Sequence, residues 1–316
     1  MHNWLKQNST PKNQKMDKKF RYYILLFVAI ATITFGLSFI FNLIGRTFEF
    51  STFWRFFMMV VASLLSALLI TYIVFITTPI LKEYLNTMRS LLRLDTFSHP
   101  ILLKLQQNAP SSFHHSIMVA NLGHRAAKAI GADALLVRIG GYYHDIGKTK
   151  DPMAFIENQT ATEQEENIKK PIQLAKKIKS HVDEGISLAR EYHLPQEVID
   201  MIIQSHGTSQ VSFIYKHLQQ KGEKISKQDL AYKGPKPQTK EAGILMLADN
   251  VESRIRSIKE LTEPQIIQIV DHIIQEKNTD RQLELSGITR GEMQKIKNAF
   301  IEGVKIIHHQ RISYPK

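Results

Sequence analysis

The stretch GGYYHDIGK, residues 140–148, places a histidine and an aspartate side by side at the end of an apolar segment. A buried imidazole or carboxylate is costly unless it is paired or binds a metal ion. Gly147 allows a close backbone approach just after this pair, and Lys148 places a cation where a phosphate could bind. The stretch therefore predicts a metal or phosphate site at His144 and Asp145.

Further metal-ligand residue types lie on both sides of this stretch. The pattern predicts His115 at the start of one helix, His181 at the start of another, His206 at the end of a third and Asp249 inside a long one. Imidazole and carboxylate ligands suit Fe, Mn, Zn or Ni, and not Cu(I). The chain has no cysteine, which excludes thiolate metal sites, disulfides and cysteine nucleophiles. Taken singly, each of these residues could equally be a structural histidine or a surface acid.

Residues 82–316 are predicted to be all-α, because no segment alternates apolar and polar residues as a strand does. The predicted helices cover residues 81–94, 115–130, 134–146, 180–192, 196–205, 239–258, 264–275 and 289–307. Thr289 and Glu292 have the spacing of a capping box before the last of them. Residues 158–170 and 221–238 are polar and are predicted to be loops. The apolar faces of these helices can form one core, and about 235 residues is a suitable length for a single domain.

The first 81 residues have a different composition. Residues 22–44 contain no charge, and residues 53–81 contain only Arg55. About 20 apolar residues are enough to cross a bilayer. A signal peptide has a shorter apolar core followed by an A-x-A-like site, and buried helices of soluble proteins rarely lack charge over such lengths. We therefore expect two transmembrane helices within residues 22–81.

The net charge of +12 is unevenly distributed along the chain. Residues 1–21 are strongly basic, and Lys82, Arg89 and Arg93 follow the second apolar run. By the positive-inside rule both ends of the hairpin are cytoplasmic. The expected localisation is the cytoplasmic (inner) membrane, multi-pass, with the N- and C-termini in the cytoplasm. The lipid bilayer is an expected partner, and a two-helix anchor could pair with that of a second copy to form a homodimer.

A nucleic-acid polymer is not expected as a partner. The basic N-terminal segment already has a topological explanation, and no basic patch with interleaved aromatic residues accompanies it.

The order H…HD…D resembles the HD phosphohydrolase superfamily, an all-helical metal-dependent fold. More narrowly, residues 60–316 resemble the cytoplasmic part of the bacterial seven-transmembrane HD family (PgpH-type), which hydrolyses cyclic di-AMP. The matching stretches are FHHSIMVANL (113–122), GGYYHDIGK (140–148), FIENQ (155–159), SHV (180–182), HGT (206–208), GPKPQTKEAGILMLADNVE (234–252) and RISYP (311–315). The expected architecture is a basic tail (1–21), two transmembrane helices (22–81) and a cytoplasmic HD domain preceded by the helix that leaves the membrane (82–316).

By position, this resemblance implies two divalent metal ions, Mn or Fe. It implies that the first ion is held by His115, His144, Asp145 and Asp249, and the second by His181 and His206 with Asp145 bridging. His115 is chosen over His114 because the superfamily histidine lies four residues before a valine, here Val119. The implied catalytic residues are His144, Asp145 and Lys148, and the implied substrate contacts are Lys148, Glu157, Asn158, Gln159 and Thr208.

The reaction that this resemblance implies is hydrolysis of cyclic di-AMP to linear pApA by a hydroxide that bridges the two metal ions. One departure bears on it: the family usually has a His-His pair where this chain has Ser205-His206. A second departure is the lack of five membrane helices and the large external domain. Two alternatives stay open. The chain could hydrolyse cyclic di-GMP, a guanosine polyphosphate or a nucleoside monophosphate, although it lacks the GYP of the cyclic di-GMP subfamily. It could also be a non-catalytic receptor for a cyclic dinucleotide.

Overall fold

The computed structural model describes residues 26–37, 39–40, 52–223, 225–258 and 261–309. Within these ranges the chain is helical and forms no strand, which confirms the all-α prediction. It divides into two compact units, Met1–Met88 and Arg89–Lys316. The predicted basic tail and residues 22–25, 38 and 41–44 of the first apolar run lie outside the described residues.

The first unit contains two apolar helices, α1 (Leu26–Leu37) and most of α2 (Thr52–Leu94). The Thr34 hydroxyl donates to the carbonyl of Ser63 at 3.3 Å, and the rings of Phe35 and Phe56 meet edge to face. Among the described residues, one helix is long and apolar enough to cross a membrane, Phe56–Leu94, and its most apolar 18-residue window has a mean hydropathy of 2.6. Many large apolar side chains of this helix are exposed, among them Leu65 at 63%, and an exposed apolar surface of this kind marks a site of contact with lipid or with another protein.

The second unit holds the remaining helices. In chain order they are α3 (Pro100–Asn108), α4 (Pro110–Ile130), α5 (Ala134–Tyr143), α6 (Ala161–Ile168), α7 (Pro171–Glu191), α8 (Gln196–Gln204), α9 (Ser212–Gln220), α10 (Lys240–Arg256), α11 (Glu263–Thr279) and α12 (Arg290–His309). Short 3₁₀ turns lie at Ile146–Thr149, Pro152–Ala154, Ile156–Asn158 and Lys227–Leu230.

Helix α10 is the central element of this unit. Its residues Ile244 to Ala248 are fully buried on every side, so apolar neighbours surround the helix. Faces of α4, α5, α11 and α12 complete the same core. The Thr239 side chain caps the helix by accepting from the backbone N–H of Ala242. The core therefore holds rigidly the helix on which Asp249 lies.

Close helix packing sets the position of α5 against α4. A Cβ at Gly141 would lie 2.5 Å from Cα of Ala120, so only glycine permits this approach. Asp133 caps the start of α5 by accepting from the N–H of Leu136, and Gly131 ends α4 with a φ of 72°. The end of α5, where the HD dipeptide lies, is thereby placed beside α4.

Several predicted boundaries are wrong. The predicted loop at 158–170 contains α6, which begins with a capping box of Thr160 and Glu163 and packs only Ile168, partly buried, against a hydrophobic cluster. That segment has no apolar face, which is why its periodicity does not show a helix. The sequence does not predict helices α3 and α9, and α4 and α7 begin at Pro110 and Pro171 instead of 115 and 180. The last helix, α12, begins at Arg290, directly after its predicted cap at Thr289. The predicted capping box of Thr289 and Glu292 is present.

Candidate metal centre

The structure brings the six predicted ligand residues together. His115 lies in the second turn of α4, His144 directly follows α5, and Asp145 comes next. His181 lies in the middle of α7 and not at its start, His206 lies just beyond α8, and Asp249 lies in α10. Four ligand-bearing segments distant in the sequence therefore converge with α10 on one buried point.

One group of ligand atoms comprises a ring nitrogen from each of His115 and His144 with a carboxylate oxygen of Asp145, all within 4.8 Å of one another. Asp249 joins this group, with its Oδ1 3.1 Å from Nε2 of His115 and 3.9 Å from Nε2 of His144. His114, the neighbouring histidine, is exposed. The geometry therefore supports the choice of His115 over His114.

A second group comprises Asp145, His181 and His206, again within 4.8 Å of one another. Nε2 of His181 lies 3.0 Å from Nε2 of His206 and 3.4 Å from Oδ1 of Asp145. Oδ2 of Asp249 lies 3.5 Å from Nδ1 of His206. Asp145 belongs to both groups, so its carboxylate occupies the position of a bridging ligand.

The residues fit divalent metal ions. Nε2 of His144 and Oδ1 of Asp145 are buried, and neither has a hydrogen-bond partner among the described residues. Leaving such atoms unpaired would cost free energy in the absence of a ligand. Imidazole nitrogens and carboxylate oxygens are also the donor set that suits these ions.

Hydrogen bonds to the far ring nitrogens orient the histidines. Nδ1 of His144 lies 2.9 Å from the carbonyl of Gly141, and Nδ1 of His181 contacts the carbonyl of Ile178. Nδ1 of His115 contacts the carboxylate of Glu252, which is 8% exposed. Metal-binding histidines are typically held this way, with one ring nitrogen bonded to an acceptor and the other left for the ion.

Burial and neighbouring charges shift the pKa values in the cluster. Burial would raise the pKa of Asp145, but His144 and Lys148 hold it well below its ordinary value. Burial would likewise raise the pKa of Asp249, but the hydrogen bond with His115 lowers it. Burial lowers the pKa of His206 to about 3. Both carboxylates are therefore ionised and His206 is neutral at pH 7, which are the forms that bind metal.

Lys148 is buried beside the cluster, and it is not a solvated cation at a helix end. Its Nζ lies 2.8 Å from Oδ2 of Asp145 and 2.7 Å from Oε1 of Glu157, and it sits 4.7 Å from the centre of the Phe155 ring. Burial would lower the pKa of Lys148, but the two carboxylates raise it. An ammonium has three donors, so two carboxylate partners leave one donor for a further acceptor.

The residues predicted to contact substrate lie at different places. Oε1 of Glu157 accepts from Ser112 at 3.0 Å as well as from Lys148, and Asn158 donates to the same Ser112 hydroxyl at 2.9 Å. Gln159 donates to the carbonyl of Met153. The backbone N–H of Thr208 donates to Gln282. In the described parts of the chain, neither Gln159 nor Thr208 bonds to a residue of the metal cluster.

Ser205 lies outside the cluster. It is fully buried, and its hydroxyl donates to the carbonyl of Ile202 at 2.9 Å. Of the Ser205-His206 pair, His206 therefore belongs to the second group of ligand atoms and Ser205 does not.

Two residues beside the site were not predicted as site residues. Glu252 lies three residues after Asp249 on α10, so both carboxylates share one face of the helix. The sequence signals for Glu252 are this spacing and its place at the end of the stretch 234–252 that resembles the family. Tyr232 stacks on the His206 ring with the centroids 4.5 Å apart, and no sequence pattern indicated this contact.

Two cavities adjoin the cluster. One has a volume of about 720 Å³ and is lined by polar residues that include His115, Glu157, Glu252 and Arg256, with apolar side chains from α4, α10 and α12 on its other walls. The second has a volume of about 390 Å³ and is lined by His206, Tyr232 and three lysines among others. The larger volume lies within the range of about 300–1,000 Å³ that is typical of small-molecule sites.

The sequence is similar to known proteins. The HD domain family model matches residues 112–254. The cyclic-di-AMP phosphodiesterase PgpH of Bacillus subtilis (strain 168) is 42% identical over 233 residues, which are 73% of this chain and 32% of that protein. The chain thus spans about a third of the length of the curated relatives it matches first.

Solved structures are also similar to this chain. The crystal structure of the HD domain of L. monocytogenes phosphodiesterase PgpH is 40% identical, with a TM-score of 0.63 over 67% of this chain and all of that one. The same domain in complex with cyclic-di-AMP is 41% identical, with a TM-score of 0.64 over 68% of this chain and all of that one.

Proposed function

The chain belongs to the HD-domain family, and from that premise we propose that it is a metal-dependent phosphodiesterase that hydrolyses cyclic di-AMP to linear pApA. The observation that carries the proposal is the Asp145 carboxylate shared between two groups of buried ligand atoms. The similarity to an HD domain solved with cyclic-di-AMP supports this choice of substrate.

We propose that the site holds two divalent ions, Mn or Fe. His115, His144, Asp145 and Asp249 would hold one ion, and Asp145, His181 and His206 the other. When bound, two such ions make a coordinated water acidic near neutral pH and neutralise charge on phosphoryl oxygens. Asp145 would orient both ions, and Glu252 would keep the His115 ring in position.

The chain's own cations complete the proposed site. Lys148 would contact the scissile phosphate through its third donor while Asp145 and Glu157 hold its other two. Glu157 and Asn158, joined through Ser112, would shape the substrate side of this contact. We keep Gln159 and Thr208 as proposed substrate contacts on the strength of the family resemblance alone.

Ser205 gives a reason to consider a second function. Because its hydroxyl bonds to Ile202, the proposed second ion has three protein ligands, two of them histidines. A weakly held second ion would leave a receptor that binds cyclic di-AMP without cleaving it. Binding of cyclic di-AMP with one metal ion held per chain and no turnover of any nucleotide would favour that receptor function.

We propose that the chain is anchored in the bacterial cytoplasmic membrane by the two helices within residues 22–81, with both termini in the cytoplasm and with a homodimer as the assembly. The apolar stretch of α2 and the contact between Thr34 and Ser63 support this hairpin. Residues 82–316 would then form the cytoplasmic catalytic domain.

The experiment that tests the activity is a turnover assay of the detergent-purified full chain. Mn²⁺ or Fe²⁺ is added with cyclic di-AMP, cyclic di-GMP, guanosine tetraphosphate or AMP, and products are separated by chromatography. We expect pApA from cyclic di-AMP and no comparable turnover of the others. Preferential cleavage of another nucleotide would contradict the proposed substrate.

Metal content tests the ligand assignment independently of turnover. We expect two ions per wild-type chain, one ion in His206→Ala, and none held tightly in Asp145→Ala, because only Asp145 belongs to both groups. Ser205→Ala is the matched control and should retain two ions, since its hydroxyl bonds to the backbone. Loss of an ion from Ser205→Ala, or retention of both in Asp145→Ala, would refute the assignment.

A further inference from the structure

The larger cavity beside the metal centre contains a cation that the family resemblance did not indicate. Arg256 lies in the last turn of α10 and lines this cavity together with His115, Glu157 and Glu252. One carboxylate separates it from a metal ligand: the two oxygens of Glu252 face Nδ1 of His115 and Nε of Arg256. The guanidinium is therefore close to the cluster but outside it.

Arg256 is weakly paired in comparison with Lys148. Its Nε lies 4.0 Å from Oε1 of Glu252, and its Nη2 lies 4.0 Å from Oε2 of Glu157. Both separations exceed hydrogen-bond length, and each carboxylate has a closer partner, Lys148 or His115. The Arg256 side chain is also 36% exposed, whereas that of Lys148 is 11% exposed. Its five donors are thus available to a ligand that enters the cavity.

The chemistry of a cyclic dinucleotide matches this arrangement. Its two phosphodiesters belong to one ring, so the second phosphate stays near the metal ligands when the first is bound there. A guanidinium binds phosphate through two parallel hydrogen bonds and carries a charge at every physiological pH. Apolar residues of the same cavity, among them Met118, Ile255 and Ile307, provide a surface for a nucleobase.

We propose that Arg256 binds the phosphate of the cyclic dinucleotide that is not being cleaved, and so selects substrates with two phosphodiesters. This inference rests on the proposed function of the same site. Lys148 would then bind the scissile phosphate, and Arg256 would bind the second phosphate of the same cyclic dinucleotide.

The test compares two substrates in the full chain loaded with Mn²⁺: cyclic di-AMP and bis(p-nitrophenyl) phosphate, which has one phosphodiester. In Arg256→Gln we expect KM for cyclic di-AMP to rise about 10- to 100-fold, the range for losing hydrogen bonds to a charged group. The ratio of kcat/KM between the two substrates should fall by a similar factor. Arg256→Lys should recover part of the loss, because it restores the charge without the paired donors.

Arg254→Ala is the matched control, since Arg254 is an exposed arginine of the same helix turn and is not among the residues that line the cavity. A second readout is equilibrium binding of cyclic di-AMP to the chelator-treated chain, where Arg256→Gln should bind more weakly than Arg254→Ala. An unchanged substrate ratio, or an equal loss on both substrates, would overturn the proposal for Arg256. Failure of the wild type to cleave cyclic di-AMP would instead contradict the proposed function.

Discussion

At the scale of single residues, Lys148 and Glu157 show how a charge is kept in the interior. Burial alone would raise the pKa of Glu157, but the ammonium of Lys148 at 2.7 Å lowers it from 4.5 to about 2. Since the pKa in the folded state is depressed, the pair stabilises the fold above about pH 4.5. That contribution is lost as the pH falls from about 4.5 to about 2.

We predict that Glu157→Gln lowers the stability of the metal-free chain at pH 7 and flattens its acid dependence. A shift of this size corresponds to about 3 kcal/mol, which in a domain of this length lowers Tm by about 6–12 °C. The difference between variant and wild type should shrink as the pH falls from about 4.5 to about 2, where half of Glu157 is protonated in the wild type. Thermal unfolding followed by circular dichroism in EDTA measures this.

Glu166→Gln is the control, because Glu166 is exposed on α6 and should leave Tm nearly unchanged at every pH. A Tm difference for Glu157→Gln that does not change between pH 7 and pH 2 would show that lost packing, and not the charge of Glu157, is the cause.

At the scale of elements, one glycine joins two ligand-bearing segments. A Cβ at Gly147 would lie 1.8 Å from the carbonyl oxygen of His181 and 2.6 Å from the backbone N of Gly185. The turn after the HD dipeptide therefore packs directly on the backbone of α7. Because of this contact, Oδ1 of Asp145 lies 3.4 Å from Nε2 of His181. The close backbone approach predicted at Gly147 is therefore the approach of the turn to α7.

We predict that Gly147→Ala separates the turn from α7 and weakens the second metal site. Overpacking against backbone costs about 1–3 kcal/mol. We expect a lower Tm and a loss of about one ion per chain, measured by unfolding and by elemental analysis of the same samples. Gly291→Ala is the matched control, since a Cβ there meets nothing within 4 Å and alanine favours the helix. Full metal content in Gly147→Ala would contradict this role of the glycine.

The six proposed ligand residues could be selected from the sequence because their residue types are rare in apolar segments and follow a known order, and the structure brings them together. Their role as metal ligands stays a prediction. Glu252 could not, since an acid three residues after Asp249 looks like any surface charge until the fold places it on His115. The start of α7 was missed for a related reason. Leu174, Ile178 and His181 lie on the same buried face of α7. The lysines between them make the segment look polar, so the sequence does not show that the helix begins before residue 180.

At the scale of the whole molecule, apolar surface and charge are separated along the chain. The stretch Phe56–Leu94 keeps large apolar side chains exposed, among them Leu65 and Leu68 at more than 60%. Surface of this kind is stable next to lipid and not next to water. We therefore predict that the chain sediments with membranes, resists an alkaline carbonate wash and is extracted by detergent. Recovery in the soluble fraction after the wash would contradict the anchor.

The absence of cysteine makes the topology directly measurable, since one introduced thiol is the only one in the chain. In intact cells, we expect a membrane-impermeant maleimide to label Thr47→Cys, between the two apolar runs, and not Ser9→Cys in the basic tail. Both variants should react after lysis, which is the control for accessibility. Labelling of Ser9→Cys in intact cells would reverse the proposed orientation.

The carboxylate that Asp145 contributes to both groups of ligand atoms has a thermodynamic consequence. With two ions bound, the factor by which the first changes the affinity for the second must equal the factor in the reverse direction. The coupling between the two proposed ions would thus be reciprocal, and a substitution on either side, at His115 or at His206, should change the affinity for the other ion. Occupancy measured against free metal should then follow one coupled isotherm, and the proposed activity should depend on the concentration of free metal in the cell.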